Sequence, residues 1–262
     1  MANLVLTHNA GFFSCSSVAL RQLLEYFNRE KYTPDSVDRS NQYANCRTNS
    51  SQDMTKVYFE DGSDVEILYN GEVRITDEDR EDQFSNYKNL NFSTISPFVK
   101  KYFQPSRLIE DRVQELLNKY YMECGNTCAV YYRGNDKCTE TTIAPYSAFI
   151  EKAQTLLLED PSLKFLVQTD EREFLDEFIA TFPTNTTYVE ELAMMSRDPS
   201  NCMFRIIPQT DKSQNSIDYL AITIILSRCK HLVTHSGNGG MWSVLYRGHG
   251  SYVHQNLNNE WI

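Results

Sequence analysis

The chain has 262 residues, 41% hydrophobic and 12% aromatic, which is enough apolar material for one large or two small globular domains and too much for a disordered chain. A formal net charge of −10 excludes a broad nucleic-acid-binding surface, although two or three local cations can still hold a small anion. No run approaches the roughly 20 apolar residues of a membrane span, and the opening residues carry no basic leader, so a cytoplasmic protein without a membrane anchor is expected.

The elements follow in chain order. Asn3 to Thr7 reads as a buried strand, Asn9-Ala10-Gly11 as a turn, and Ser14 to Phe27 as a helix with Val18, Leu20, Leu23, Leu24 and Phe27 on one face. Residues 33–96 are polar, with short β-like runs at 57–60 and 65–69 and an acidic tract from Asp77 to Asp82; loops, a hairpin and a small helix are expected there. Pro97 to Phe103 and Ser106 to Tyr121 read as helices, the second capped by Ser106. A regular alternation follows. Strands are predicted at Thr127–Tyr132, Leu163–Gln168, Thr187–Val189, His231–Thr234 and Ser251–His254, and helices at Tyr146–Leu158, Glu171–Phe182, Ile217–Cys229 and Gly239–Tyr246. Such alternation means an α/β fold with a parallel sheet covered on both faces, whose ligands bind at the carboxyl ends of the strands. The turn at Cys124-Gly125-Asn126 places a domain boundary between 1–123 and 124–262.

Four segments at strand ends carry the chemistry. Tyr131-Tyr132-Arg133-Gly134-Asn135-Asp136-Lys137 sets two cations in a glycine-containing turn, which suits a diphosphate, with Asp136 steadying one of them; a surface turn with a salt bridge has the same composition. Thr234-His235-Ser236-Gly237-Asn238-Gly239-Gly240 enters a helix whose positive end, free backbone N–H groups and Ser236 hydroxyl suit a phosphate, or it is a plain glycine-rich turn. It is neither a dinucleotide fingerprint nor a P-loop. Asp170, in Gln168-Thr169-Asp170-Glu171, either caps the next helix or accepts from a nucleoside. Asn9, Phe12 and Phe13, at the first helix entrance, line an acceptor groove or simply pack. The seven cysteines (Cys15, Cys46, Cys124, Cys128, Cys138, Cys202 and Cys229) show no paired finger spacing, so no zinc is expected.

In order and spacing, YYRGNDK, FLVQTDEREF and ILSRCKHLVTHSGNGGMWSVLYRG resemble the GDP-fucose-dependent fucosyltransferases, the group that includes the α1,6-, nodulation and protein O-fucosyltransferases, over about residues 95–250. The resemblance implies a GT-B-type fold of two Rossmann-like halves facing a central cleft, 1–123 on the acceptor side and 124–262 on the nucleotide-sugar side. The family pattern H-x-R-x-x-D-K is met by Arg133, Asp136 and Lys137, with Tyr131 in place of the histidine, and implies that Arg133 grips the donor β-phosphate. It further implies that Asp170 contacts the nucleoside, that the His235–Gly239 turn (His235, Ser236, Gly237, Asn238, Gly239) contacts phosphate, and that the Asn9–Ser14 loop faces donor and acceptor.

The chemistry agrees with that reading. A departing nucleoside diphosphate develops negative charge, which Arg133, Lys137 and a helix N-terminus can stabilise without a metal or other cofactor. Glu140, three residues past Lys137, is the candidate base for the acceptor hydroxyl. The one acidic metal candidate, Asp77-Glu78-Asp79, follows no apolar strand. The expected partners are a nucleotide-sugar donor (GDP- or UDP-linked) and a glycan acceptor, with no nucleic acid. The other classes compatible with the sequence are a non-catalytic nucleotide-sugar or glycan-binding module and a Rossmann-type enzyme acting on nucleotide sugars. The latter lacks a nucleophile elbow or nicotinamide site.

Overall fold

The computed structural model describes residues 3–48, 55–60, 62, 64–198, 200–201 and 203–262, so Cys202 lies outside the described residues. The chain opens with β1 (Asn3–Val5), α1 (Phe12–Glu30) and β2 (Ser36–Asp38). These form a right-sized β–α–β unit whose two strands pair in parallel, Asn3 opposite Ser36. Helix α1 forms where Leu20, Leu23, Leu24 and Phe27 recur at helical spacing, and it starts at Phe12, two residues ahead of the sequence expectation.

The polar stretch then contributes α2 (Thr55–Tyr58) and β3 (Phe59–Glu60), with no regular element at 65–69. It is not detached: Tyr58, Phe59, Val73, Ile75, Tyr87 and Leu90 are all buried in the main core. Helix α3 (Phe92–Tyr102) starts five residues before Pro97, although proline usually opens a helix. Burial of Ile95, Phe98 and Val99 outweighs the lost hydrogen bond, which falls on the exposed Ser93 side. β4 (Gln104–Pro105) pairs antiparallel with β3, and Ser106 caps α4 (Arg107–Lys119) by accepting the Ile109 N–H as its sequence position predicts.

The remaining elements build the central sheet: β5 (Thr127–Tyr132), α5 (Tyr146–Glu159), β6 (Lys164–Thr169), α6 (Arg172–Thr181), β7 (Thr186–Tyr188), α7 (Met203–Ile206), α8 (Lys212–Arg228), β8 (His231–His235), α9 (Asn238–Arg247), β9 (Val253–Leu257) and β10 (Glu260–Trp261). The strand order is β10-β9-β8-β5-β6-β7, parallel throughout except for the terminal β10. Strand periodicity sorts the side chains into two cores. Ala129 and Tyr131 of β5 and Leu232 of β8 face a large cluster shared with α1, α3, α4, α8 and α9. Cys128, Val130, Tyr132 and Val233 face a smaller cluster with α5 and α6. The result is a three-layer α/β arrangement with β5 and β8 at its centre. No helix among the described residues is long and apolar enough to cross a membrane.

Candidate active site

The carboxyl ends of β8, β5 and β6 are adjacent, and the residues just beyond them are tied together. The Arg133 backbone N–H donates to Nε2 of His235 at 2.8 Å, while Nδ1 of the same ring lies 2.8 Å from the Ser236 carbonyl. One nitrogen therefore accepts and the other donates, which fixes a neutral ring; burial also lowers its pKa to about 4. His235 thus braces β5 against β8, and its ring has no nitrogen left for a phosphate, contrary to the donor contact expected of it.

Arg133 stands at the centre of this network. Its Nη2 donates to Asp136 Oδ1 at 2.9 Å, and its Nε lies 2.8 Å from Asp170 Oδ2 as an ion pair without hydrogen-bond alignment. Burial works against the guanidinium charge, but the Asp170 carboxylate overrides it and holds the pKa well above the ordinary value. With 26% of its side-chain surface exposed, the group is braced from behind and open in front. Asp170 also accepts the Gly134 N–H at 2.8 Å, so it is a brace for the arginine turn and not a helix cap.

Two residues that the motifs did not single out complete the turn. Glu171, fully buried, accepts from the Asn135 N–H at 2.7 Å and the Tyr146 hydroxyl at 2.5 Å, with Arg197 Nε 3.5 Å away. Its carboxyl packs over Gly134 so closely that a Cβ there would stand 2.0 Å from it. Asn135, also fully buried, donates to the Asp170 carbonyl at 3.1 Å and accepts the Asp198 N–H at 2.8 Å. The adjacency of Asp170 and Glu171 at a strand end was the available signal for the first; nothing in the sequence marked the second as more than a turn residue.

Lys137 turns away from Arg133. Its Nζ meets Glu140 Oε2 at 2.5 Å and Gln83 Oε1 at 3.2 Å, and lies 5.2 Å from the centre of the Phe84 ring. Gln83 also closes the entrance to α9: its carbonyl accepts the Gly237 N–H at 3.0 Å and its side-chain oxygen accepts Asn238 Nδ2 at 3.0 Å. Asn238 in turn accepts from Ser17 at 2.6 Å, and the Ser236 hydroxyl, 3% exposed, accepts from Gln255 at 3.0 Å. Gly239 sits against the Tyr131 and Tyr219 hydroxyls, where a Cβ would come within 2.3 Å of the first. The glycine-rich turn is therefore occupied by the protein's own polar groups.

Two adjoining cavities share Arg133, Asn215 and Tyr219. One, about 60 Å³, is lined on its far side by Gln168, Thr169, Asp170, Leu192 and Ala193. The other, about 100 Å³, reaches Ala10, Gly11 and Phe12 of the first loop together with Asn45, Lys212 and Ser216. The first loop and Arg133 thus line one cavity and Asp170 the adjoining one, whereas the Ser236 turn, expected to converge with them, lines neither. Asn9 and Phe13 reach neither cavity. Asn9 accepts the Ala44 N–H at 3.0 Å, and Phe13, 3% exposed, packs between Tyr219 and Trp242 because it falls on the inner face of α1. Phe12 contributes an edge but is itself 5% exposed among Tyr43 and Tyr58.

Elsewhere, a larger cavity of about 690 Å³ opens at the amino ends of the central strands, the wrong end for ligands of a parallel sheet. Its cations are committed: Arg228 to Glu110, Lys230 to Asp160, and Arg247 to the carbonyls of Ser227, Cys229, Lys230 and Ser251. Asp77 and Asp79 are exposed, whereas Glu78 is held by Arg80 and the Asn86 N–H. Among the described residues no three acidic, histidine or cysteine side chains gather as a metal site.

No protein-family model and no curated protein matches the sequence. Solved structures do match the fold. NodZ α-1,6-fucosyltransferase co-crystallised with GDP aligns with a TM-score of 0.57 at 11% identity, covering 92% of this chain and 91% of that one. The same enzyme soaked with GDP-fucose aligns at 0.58 and 11% identity over 100% and 98% of the two chains. NodZ from Bradyrhizobium aligns at 0.55 and 10% identity over 92% and 91%. The chain therefore has an α/β fucosyltransferase-like structure, and at such identity the likeness is one of fold.

Proposed function

We propose that the protein is a metal-independent, inverting glycosyltransferase that moves a sugar, L-fucose from GDP-fucose in the first instance, to a glycan acceptor. The observation that carries this reading is Arg133: a partly exposed guanidinium at the carboxyl end of the central strand, held by Asp136 and Asp170 and facing two cavities. A NodZ-like fold and the motif resemblance support the choice of donor.

Residues 1–123 and 124–262 share one core, so in this reading the GT-B cleft is reduced to the seam where the first loop, on the acceptor side, meets the carboxyl ends of β5 and β6, on the donor side. The nucleoside lies towards Gln168 and Asp170, and the diphosphate crosses Arg133. As the bond between the sugar C1 and the β-phosphate oxygen breaks, charge accumulates on that oxygen, where the guanidinium already points and needs no reorganisation. Glu140, 47% exposed, has one oxygen on Lys137 and lines neither cavity, so to take the proton of the attacking acceptor hydroxyl the Lys137–Glu140 turn has to move towards Arg133 when substrates bind. Ala10, Gly11 and Phe12 edge the acceptor side. The cavities are each smaller than the ~300 Å³ of pockets that enclose a whole ligand. In this reading the 189–198 loop, whose Leu192 and Ala193 line the cavity beside Asp170 and whose Met195 is stitched to Asp170 and Arg172 just past β6, opens to admit the donor.

The test is a donor panel read by release of free nucleotide with a mixed glycan acceptor. GDP-fucose is expected to turn over, excess EDTA to leave the rate unchanged, and Arg133→Ala to abolish it without loss of folded protein. Turnover only with UDP-sugars would change the donor, and nucleotide binding with no turnover across the panel would make the protein a binding module. Wild-type turnover by Arg133→Ala would overturn the site.

A further inference from the structure

Resting on that reading, we infer that the second cation on the donor diphosphate is Lys212, in an anion pocket between the first loop and the start of α8. The sequence assigned that role to Lys137 and the turn before α9, but both are filled. Lys137 is neutralised by Glu140, and Gln83 places an amide oxygen and a carbonyl where phosphate oxygens would have to go.

The α8 side differs in every respect. Its cavity, about 100 Å³, has room for roughly three waters at ~30 Å³ each, or for the oxygens of one phosphate group. Arg133 and Lys212 line it with Asn45, Asn215 and Ser216, and no carboxylate is among its lining residues. Lys212 makes no ion pair with the described residues. It is also the first residue of a 17-residue helix, where a positive charge opposes the helix dipole. A local rule broken without a structural return is the mark of a functional residue.

Charge balance makes the same demand. Arg133 is flanked by Asp136 and Asp170, so that triplet carries net negative charge and would repel a diphosphate on its own. A further unpaired cation is needed on the open side, and Lys212 is on that side. The cavity adjoins the one beside Asp170 through Arg133, Asn215 and Tyr219. A nucleoside diphosphate can therefore lie across the guanidinium with its nucleoside towards Asp170 and its phosphates towards Lys212.

The experiment is calorimetric binding of GDP, guanosine and inorganic pyrophosphate to wild type, Lys212→Met and Lys212→Arg, with melting temperatures to confirm folding. Lys212→Met is expected to weaken GDP and pyrophosphate roughly tenfold or more, the worth of one charge-assisted contact, and to leave guanosine unchanged. Lys212→Arg should retain most of the affinity. A folded Lys212→Met that binds GDP like wild type overturns the inference while leaving the transferase reading intact. Wild-type binding of pyrophosphate without GDP, lost in Lys212→Met, would keep the pocket and remove the nucleotide donor. Wild type binding none of the three overturns both.

Discussion

Gly134→Ala tests whether the arginine turn is built as described. The new Cβ would stand 2.0 Å from both Cδ and Oε1 of Glu171 and 2.4 Å from Oε2, distances no real contact tolerates. The side chain is fully buried and cannot swing into solvent without abandoning the Asn135 N–H and the Tyr146 hydroxyl. Hydrogen bonds to an ionised acceptor are worth about 1.5–3 kcal/mol each, so losing both costs about 3–6 kcal/mol. Breaking a buried charge from its partners costs a similar amount, about 3–5 kcal/mol. Against a typical total of about 5–15 kcal/mol this removes a large share of the stability. In urea, at a slope of about 3 kcal/mol per M, the midpoint should fall by about 1–2 M.

The same substitution in a Glu171→Ser background should cost under about 1 kcal/mol more than Glu171→Ser alone, because the group it collides with is gone. A Gly134→Ala midpoint within about 0.3 M of wild type at the same slope would refute the argument, since the carboxylate would then not be where these contacts put it.

Phe13→Ala should cost about 3–5 kcal/mol of stability and, where the variant is folded, leave the acceptor KM unchanged, because the ring packs on Tyr219 and Trp242 instead of facing the cavity; a selective rise in KM would restore its acceptor role. Acid should weaken the fold through His235. Its folded pKa of about 4 is below the unfolded value near 6.5, so its contribution is full above pH 6.5 and is lost as pH falls towards 4, at most about 3 kcal/mol. Urea midpoints at pH 7 and 4.5 should therefore drop more in wild type than in His235→Gln, and equal drops would contradict the buried neutral ring.

The central sheet was legible because β5, β6 and β8 are short apolar runs buried on both faces, which only a parallel α/β sheet requires in alternation with helices. Arg133 was legible for the same reason: a cation immediately after such a run is at a carboxyl end. Lys212 was not. The apolar pattern of α8 starts only at Ile217, and the polar first turn, 212–216, gives periodicity nothing to detect. Gln83 was hidden in the polar 33–96 stretch, whose buried Tyr87 and Leu90 are too widely spaced to declare a packed strap. Phe13 misled for the opposite reason. Two aromatics beside a glycine suggest a binding edge, but α1 begins at Phe12, so Phe13 falls on its inner face and only an edge of Phe12 reaches the cavity.

The strand order explains why the arginine stands where it does. β5 has β8 on one side and β6 on the other, so a residue just past its end can be braced from two neighbouring strands at once. Here β8 supplies His235, which holds the backbone N–H of Arg133, and β6 leads into Asp170, which holds its Nε and the next backbone N–H. Of the five guanidinium donors, one is taken by Asp136, Nε lies against Asp170, and the Tyr219 hydroxyl is a further hydrogen-bond partner of the group. That leaves a planar fork whose orientation is fixed before any ligand arrives, so little conformational freedom remains to be lost on binding. A lysine at 133 could keep the charge but neither the fork nor the two carboxylate contacts that aim it. An arginine at the end of an edge strand such as β7 would have only one neighbour to brace it, and the same residue there would be a mobile surface cation.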